Sequence, residues 1–324
     1  MRLIADVMGA DAAPETLVPA FVKGACEAGC ELILCGDADK IRASLSAEEL
    51  KTVEICHAES VITMEDSAMS AVKKKKDSSM ALALQLLKEG RGDAVISAGN
   101  TGALVTGASV IVGRLGGMKT AAIGTILPLS TPTLLMDAGA SINIMPENLV
   151  QFAHLGSAYM EALFDIKGAR VGLINNGAEE TKGTALYREA HALLKAEESI
   201  HFVGNIEGRD VPFGRCDVLL CDGFTGNIVL KLTEGFGFYF SGILKQGLME
   251  SLRSKLGAVL LKPQLKGLRR RLDYTEYGGA PILGIAAPVI KAHGASSPKA
   301  IVSAVKMAKR VVESDFFRRV TSVL

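Results

Sequence analysis

Two short turns of similar composition could bind an anion. The segments SAGNTGALV (residues 97–105) and CDGFTGNIVLK (residues 221–231) each follow an apolar run, and each combines two glycines with a threonine and an asparagine. Backbone N–H groups and polar side chains at the start of a helix bind phosphate where glycine lets the chain approach the ligand closely. Turns that only connect a strand to a helix have the same composition, so both interpretations stay open. The candidate residues for binding the anion or substrate are Asn100, Thr101, Gly102, Gly223, Gly226 and Asn227.

A lysine run gives a second candidate for phosphate binding. In KKKKDSSM (residues 73–80), Lys76 precedes a predicted helix that Ser78 or Ser79 would cap. The lysine charge and the positive end of the helix dipole would then converge within about one turn. A solvated run of charges is the alternative interpretation.

Lys182 and His293 are two further candidate functional residues, and both lie in polar turns. Lys182 lies beside two glutamates in NNGAEETKG (residues 175–183), where it could hold a phosphate or form a surface ion pair. His293 lies in a glycine- and serine-rich turn before a predicted helix, and the other histidines lack such a setting. The residue pattern leaves the roles of both open.

The usual cofactor and metal motifs are absent. No GxGxxG follows the first apolar run, and neither GxxxxGK[ST], HExxH nor GxSxG occurs. The six cysteines form no CxxC pair and lie at no metal-ligand spacing, so we expect buried, reduced thiols. The sequence therefore predicts neither a metal nor a cofactor.

Composition predicts a globular cytoplasmic protein. The 324 residues are 48% hydrophobic and 22% charged, and the net charge of +1 gives no overall attraction for nucleic acid. The N-terminus meets Asp6 before a secretory signal could form, and no apolar stretch is suited to span a membrane. Any contact with an anionic partner must therefore use a local patch.

Six strand–turn–helix units recur along the chain. Each has a short apolar run, a small polar turn and then a helical pattern, which together predict a mainly parallel sheet with helices on both faces. Ligands of such sheets bind at the carboxyl ends of the strands, where these turns lie. We expect one domain over residues 1–324.

Residues 234–272 depart from this pattern and are predicted to form a helical pair. Residues 245–271 hold eight basic residues and one acidic residue. A dimer interface, a membrane-surface anchor and a docking site for an acidic protein are compatible interpretations, with core packing as the alternative. The candidate contact residues are Phe236, Phe238, Tyr239, Phe240, Lys262, Lys266, Arg269, Arg270 and Arg271.

Seven motifs in the same order resemble those of the phosphate acyltransferase family of bacterial phospholipid synthesis. They are KKDSSM, SAGNTGA, AEETKG, GNIEGRD, CDGFTGN, DYTEYGGAPILG and IKAHGASS. The opening DVMGADAAPE is also similar to the family's, except that Ala10 stands where glycine is usual. The resemblance covers essentially the whole chain.

The resemblance implies a fold, a reaction and a place of action. The expected fold is a three-layer α/β/α arrangement similar to isocitrate and isopropylmalate dehydrogenases, in a homodimer with a protruding helical pair. The expected reaction converts acyl-[acyl carrier protein] and inorganic phosphate to acyl phosphate and free carrier protein. Acyl phosphate would then serve a membrane-embedded glycerol-3-phosphate acyltransferase, with this protein at the inner face of the cell membrane.

The resemblance also implies catalytic roles for Lys182 and Asn227. Lys182 would orient the phosphate, and Asn227 would donate to the thioester oxygen. Gly223 and Gly226 would let the backbone come close at this thioester site. The alternative functions are a phosphate acyltransferase that uses acyl-CoA and a non-enzymatic scaffold for lipid enzymes at the membrane surface.

Overall fold

The computed structural model describes residues 1–127, 129, 131–272, 278–292 and 297–321, without the side chains of residues 268–272. The strands are β1 (Arg2–Asp6), β2 (Glu31–Gly36), β3 (Val53–His57), β4 (Ala94–Ser97), β5 (Ala122–Ile123), β6 (Thr125–Leu127), β7 (Thr133–Met136), β8 (Val171–Asn175), β9 (Phe202–Glu207), β10 (Val218–Leu220), β11 (Ala280–Leu283) and β12 (Val289–Lys291).

The helices alternate with these strands over most of the chain. They are α1 (Pro14–Ala28), α2 (Ala38–Ala43), α3 (Ala47–Leu50), α4 (Ala68–Lys74), α5 (Ser79–Lys88), α6 (Thr101–Gly107), α7 (Pro146–Phe164), α8 (Ala185–Ala196), α9 (Gly223–Met249), α10 (Leu252–Leu260), α11 (Lys262–Leu272), α12 (Pro298–Glu313) and α13 (Phe316–Thr321). The structure confirms the predicted cap of α5 at Ser78, and Pro14 and Pro146 lie in the first turns of α1 and α7.

The strands form two sheets, whereas the sequence predicts one. The first has the order β3-β2-β1-β4-β12-β11-β5 and the second β6-β7-β10-β8-β9. Most neighbours are parallel, and the antiparallel pairs are β11 with β12, β11 with β5, and β6 with β7. The chain passes from one sheet to the other at Gly124, where an added Cβ would lie 2.9 Å from a Leu283 methyl group. The turn pattern therefore predicts the parallel pairing and not the division into two sheets.

One connected cluster of buried apolar side chains spans both sheets. It includes Leu3 and Ile96 from the first sheet and Leu134 and Leu219 from the second. Of the six free cysteines, only Cys35, Cys216 and Cys221 are buried, so the expectation of buried thiols holds for half of them.

The helical projection begins earlier than the sequence predicts. Helix α9 starts at Gly223 because the Asp222 carboxylate caps it, accepting from the backbone N–H groups of Phe224 and Thr225. Among its described residues only Gly223 and Gly226 are buried, and three helices, α9 to α11, replace the predicted pair. No helix in the described parts of the chain is both long enough and apolar enough to cross a bilayer.

Candidate active site

A cleft lies where the carboxyl ends of strands from the two sheets meet. It encloses a cavity of about 310 Å³. Residues that follow β4, β7 and β10 reach it, together with the last residue of β12. Among the described residues the side chains with a polar group on its wall are Thr101, Thr125, Tyr159, Asn227, Lys231, Thr233, Glu234 and Lys291. The cleft therefore lies at the strand edge where the sequence predicts ligand binding.

Asn227 reaches the cleft from the second turn of α9. Its side chain is exposed, and its amide makes no hydrogen bond within the described parts of the chain. Gly226, one residue before it, packs so closely against the turn after β7 that an added Cβ would lie 1.8 Å from the Asp137 carbonyl oxygen. The close approach at Gly223 is likewise to this turn, at the backbone of Ser141. Both glycines therefore position α9, while the sequence predicts that they admit a ligand.

The Asp137 carboxylate holds the turn against which α9 packs. It is buried and accepts hydrogen bonds from the backbone N–H groups of Ile123, Gly139, Ala140 and Ser141 at 2.7 to 3.0 Å. Burial raises the pKa of Asp137, and these four donors oppose that rise. Gly139 lies in the turn with a φ of 133°, next to the Asn227 side chain. The turn thereby fixes one side of Asn227.

Lys291 is a buried cation on the wall of the cleft. Its side chain is 9% exposed, and its ammonium group donates to the carbonyl oxygens of Ala98, at 3.2 Å, and Ala292. Burial lowers the pKa of Lys291 to about 8, while Asp11 and Asp6 act in the opposite direction. Lys291 is not among the site residues that the sequence predicts. The available signal is a lysine at the end of the apolar strand in VIKAHGASS, two residues before His293.

A row of buried polar side chains lies beside Lys291. Asp6, Ser97 and Lys291 are in register at the ends of β1, β4 and β12. The Asp6 carboxylate accepts from the Ser97 hydroxyl at 2.7 Å and forms a side-chain hydrogen bond with Ser79. Burial raises the pKa of Asp6, against these hydrogen bonds and the Lys291 charge. The row connects the start of α5 to the cleft through hydrogen bonds and charge.

Helix α9 lines the mouth of the cleft with one face. Asn227, Leu230, Lys231 and Glu234 follow the spacing of a single helical face, and all four lie on the cavity wall. The Lys231 ammonium lies 2.8 Å from the Glu234 carboxylate. The face therefore carries a free amide at its start and an ion pair about one turn later.

The SAGNTGALV turn contributes Thr101 to the cleft. The Asn100 amide instead donates to the carbonyl oxygens of Thr63, Met64 and Asp66 at 3.1 to 3.2 Å, and its oxygen accepts from the Ala103 N–H. Asn100 therefore secures a neighbouring loop and caps α6. Gly102 is exposed and does not line the cavity.

The lysine run and its serines are placed differently from one another. Lys76 is exposed. Ser78 is buried, donates to the Lys75 carbonyl at 2.7 Å and accepts from the Ala81 N–H. Ser79 is buried in the polar row beside Asp6. None of the three lines the cavity.

Lys182 lies outside the cavity wall, on the turn after β8. It is exposed, and β8 neighbours β10, whose turn leads into α9. The turns that carry Gly139 and Lys182 therefore flank the start of α9 on opposite sides. Helix α8, which follows Lys182, is tied to that start because the Tyr187 hydroxyl donates to the Asp222 carboxylate at 2.5 Å. Lys182 and Asn227 therefore lie in the segments that follow two adjacent strands, β8 and β10.

The remaining predicted residues lie on the projection or outside the described residues. Phe236, Phe238, Tyr239 and Phe240 are exposed on α9. Lys262 and Lys266 are exposed on α11. His293 lies outside the described residues, as do the side chains of Arg269, Arg270 and Arg271.

The comparisons with known proteins identify the family. Residues 1–319 match the model of a family described as "Fatty acid synthesis protein". A phosphate acyltransferase of Thermoanaerobacter pseudethanolicus is 45% identical over 326 residues, covering 99% of this chain and 96% of the relative. The chain belongs to the phosphate acyltransferase family. The phosphate acyltransferase of Clostridium botulinum is 44% identical over 313 residues, covering 95% of this chain and 93% of the relative.

Membership of the phosphate acyltransferase family confirms the predicted enzyme class. The chain is an acyltransferase of fatty acid and phospholipid synthesis. This result disfavours the non-enzymatic scaffold, because the chain aligns with these enzymes over nearly their whole length.

Solved structures of proteins with low sequence identity to this chain share its fold. A phosphotransacetylase of Streptococcus pyogenes superposes with a TM-score of 0.64 at 15% identity, covering 96% of this chain and 94% of that one. A 4-hydroxythreonine-4-phosphate dehydrogenase of Klebsiella pneumoniae superposes with a TM-score of 0.57 at 11% identity, covering 96% and 99%. These likenesses confirm the predicted three-layer α/β architecture.

Proposed function

We propose that the protein transfers the acyl group of acyl-[acyl carrier protein] to inorganic phosphate, releasing acyl phosphate and free carrier protein. The observation that supports this proposal is the cleft itself. It places on the wall of one mostly apolar cavity the buried ammonium of Lys291 and the Asn227 amide, which makes no hydrogen bond within the described residues. An amide donor, a cation and an apolar cavity are what a thioester carbonyl, a phosphate and an acyl chain require.

The reaction needs no covalent intermediate on the enzyme. A phosphate oxygen attacks the thioester carbon, the C–O bond forms, the C–S bond breaks, and the hydrogen phosphate proton passes to the departing sulfur. The Asn227 amide donates to the carbonyl oxygen as negative charge grows there. Lys291 and Lys231 offset the phosphate charge from the cavity wall, and Lys182 orients the phosphate from the neighbouring turn.

An assay of purified protein tests this function directly. Acyl phosphate trapped with hydroxylamine is measured with long-chain acyl-carrier-protein and, separately, with acyl-CoA. We expect a higher kcat/KM with the carrier-protein thioester. A higher value with acyl-CoA would support the alternative substrate, and the absence of acyl phosphate with both would contradict the proposal.

The same assay tests the two proposed catalytic residues. Lys182→Ala and Asn227→Ala should each lower kcat/KM by about 10²–10³-fold, the scale of a lost oxyanion donor. Lys167→Ala is the matched control, because Lys167 is exposed at the opposite end of β8. Near-normal rates in both catalytic variants would contradict the assigned roles.

We further propose that the projection of α9 to α11 forms a homodimer interface and a membrane contact. Apolar side chains are exposed along all of α9, and Leu252 and Leu260 of α10 are 85% and 73% exposed. Exposed apolar patches of this kind mark protein or membrane contacts. The dimer interface would use α9, and the contact with anionic lipid would use α10 and α11. Analytical sedimentation would measure the oligomeric state.

This arrangement would place the enzyme in the cytoplasm at the inner face of the cell membrane. The basic residues of the projection would also suit an acidic carrier protein. Acyl phosphate released there would pass to a membrane-embedded glycerol-3-phosphate acyltransferase.

A further inference from the structure

We propose that the deep part of the cleft cavity binds the acyl chain of the substrate, and that Ala300 and Met307 of α12 limit its length. This inference rests on the proposed function, since it assigns a part of the same site to one part of the substrate.

The cavity runs from an exposed polar mouth to a buried apolar end. Asn227 and Lys231 at the mouth are exposed, whereas Tyr159 and Met307 are 0% and 4% exposed. Ala300 and Met307 are seven residues apart on one helix, which separates them by about 10 Å. The side chains at the deep end are Ile123, Ile126, Tyr159, Pro281, Ala300 and Met307.

The polar groups that the described residues place around the deep end are already paired. The Gly124 N–H donates to the Pro281 carbonyl at 3.0 Å. The Tyr159 hydroxyl donates to the Met307 sulfur at 3.4 Å, and the Ser297 hydroxyl accepts from the Ala300 N–H at 3.3 Å. A ligand with amide or hydroxyl groups would bury them here without partners, which is unfavourable. An alkyl chain has no such groups, so it is the ligand chemistry that fits.

The two ends of the cavity also match the two ends of the acyl group. A thioester carbonyl held at Asn227 would leave the carrier arm at the exposed mouth. The alkyl chain would then extend inwards between the two sheets. Strands β5, β6 and β11, together with α7, α9 and α12, supply the surrounding wall.

Ala300→Leu tests the proposed limit on chain length. The added atoms would occupy the deep part, so the ratio of kcat/KM for hexadecanoyl to that for butyryl carrier-protein should fall about tenfold. Ala162→Leu is the matched control: Ala162 is a half-buried alanine of α7 that does not line the cavity. Its ratio should equal that of the unchanged protein. An unchanged ratio in Ala300→Leu would overturn the inference.

A second variant keeps the test decisive if Ala300→Leu does not fold, as judged by its thermal unfolding midpoint. Met307→Ala removes side-chain volume at the deep end and should raise the relative kcat/KM for chains longer than hexadecanoyl. No rise would overturn the inference. If the unchanged protein formed no acyl phosphate with carrier-protein thioesters of any chain length, the proposed function itself would be contradicted. Activity with unaltered length preference in both variants would overturn the acyl pocket alone.

Discussion

At the scale of single residues, Lys291 combines a cost to stability with a position that suits catalysis. Its ammonium group is buried, and among the described residues its hydrogen bonds go to backbone carbonyls. A buried cation without a direct carboxylate partner lowers the stability of the folded state. Its location on the cleft wall, within reach of the charge of Asp6, makes it the cation best placed to offset a bound phosphate.

Replacing Lys291 by methionine should therefore separate activity from stability. Lys291→Met should lower kcat/KM for phosphate by about 10²-fold. It should also raise the free energy of unfolding at pH 7 by about 3 kcal/mol, because burial lowers the pKa from 10.5 to about 8 and each pKa unit corresponds to about 1.4 kcal/mol. Steady-state kinetics and urea denaturation measure the two effects, with Lys167→Met as the exposed control. Normal phosphate kinetics would exclude this role.

The pKa of Lys291 predicts the pH range over which that stability difference changes. Burial lowers this pKa from 10.5 to about 8, so between these values the unfolded chain binds more protons than the folded protein. Stability contributed by this site therefore rises with pH in that range. The advantage of Lys291→Met over the unchanged protein should be greatest below pH 8 and should shrink towards pH 10.5. A constant difference would contradict the assigned pKa.

At the scale of elements, the start of α9 is fixed by three neighbours. Asp222 caps the helix, Tyr187 of α8 donates to that carboxylate, and the turn after β7 packs against Gly226. Asn227 follows directly, so its position depends on contacts made by its neighbours. A displacement of about 1 Å at a reacting group costs about 10²-fold in rate.

Two glycines of α9 allow this dependence to be tested within one helix. Gly226→Ala would place a Cβ on the Asp137 carbonyl oxygen, so the helix start must move, with a loss of about 1–3 kcal/mol in stability and of most activity. Gly235→Ala meets nothing within 4 Å and should stabilise the helix by about 0.5–1 kcal/mol. Chemical denaturation and the acyl phosphate assay report both. Similar behaviour of the two variants would show that the close approach at Gly226 is unimportant.

At the scale of the whole molecule, the two sheets with their cleft and the projection of α9 to α11 have different proposed roles. Both sheets share one apolar core and form the cleft between them. The projection has little buried surface of its own, since α10 has no buried residue. Its apolar and basic side chains are thus available to a membrane or to another protein.

Binding to anionic vesicles tests the proposed membrane contact. Replacing Arg269, Arg270 and Arg271 by glutamine should weaken binding to phosphatidylglycerol vesicles by about 10²-fold, at about 1 kcal/mol per basic residue near the surface. Neutralising Lys73, Lys74 and Lys76, which are exposed at the end of α4 and just beyond it, removes the same charge and should leave binding unchanged. Co-sedimentation with vesicles measures both. Equal binding by the two triple variants would show that vesicle binding depends on the overall charge of the protein and not on Arg269, Arg270 and Arg271 in particular.

Local features of the fold could be read from the sequence because they depend on neighbours in the chain. Ser78 before an apolar helix predicts the cap of α5, which the structure confirms. Apolar runs followed by polar turns predict parallel strands and a ligand site at their carboxyl ends. The motifs around Lys182 and Asn227 predict the family, which the comparisons confirm.

The tertiary structure alone decided which polar residues face the cleft. Asn100 and Asn227 lie in similar turns, yet the Asn100 amide donates to the loop at residues 63–66, whereas the Asn227 amide makes no hydrogen bond within the described parts of the chain. Lys291 becomes notable only through its burial, and Gly226 only through a carbonyl oxygen 89 residues away in the chain. The fold class and the family follow from local patterns along the chain. Contacts between distant segments determined the shape of the cleft, because packing depends on groups that no local pattern brings together.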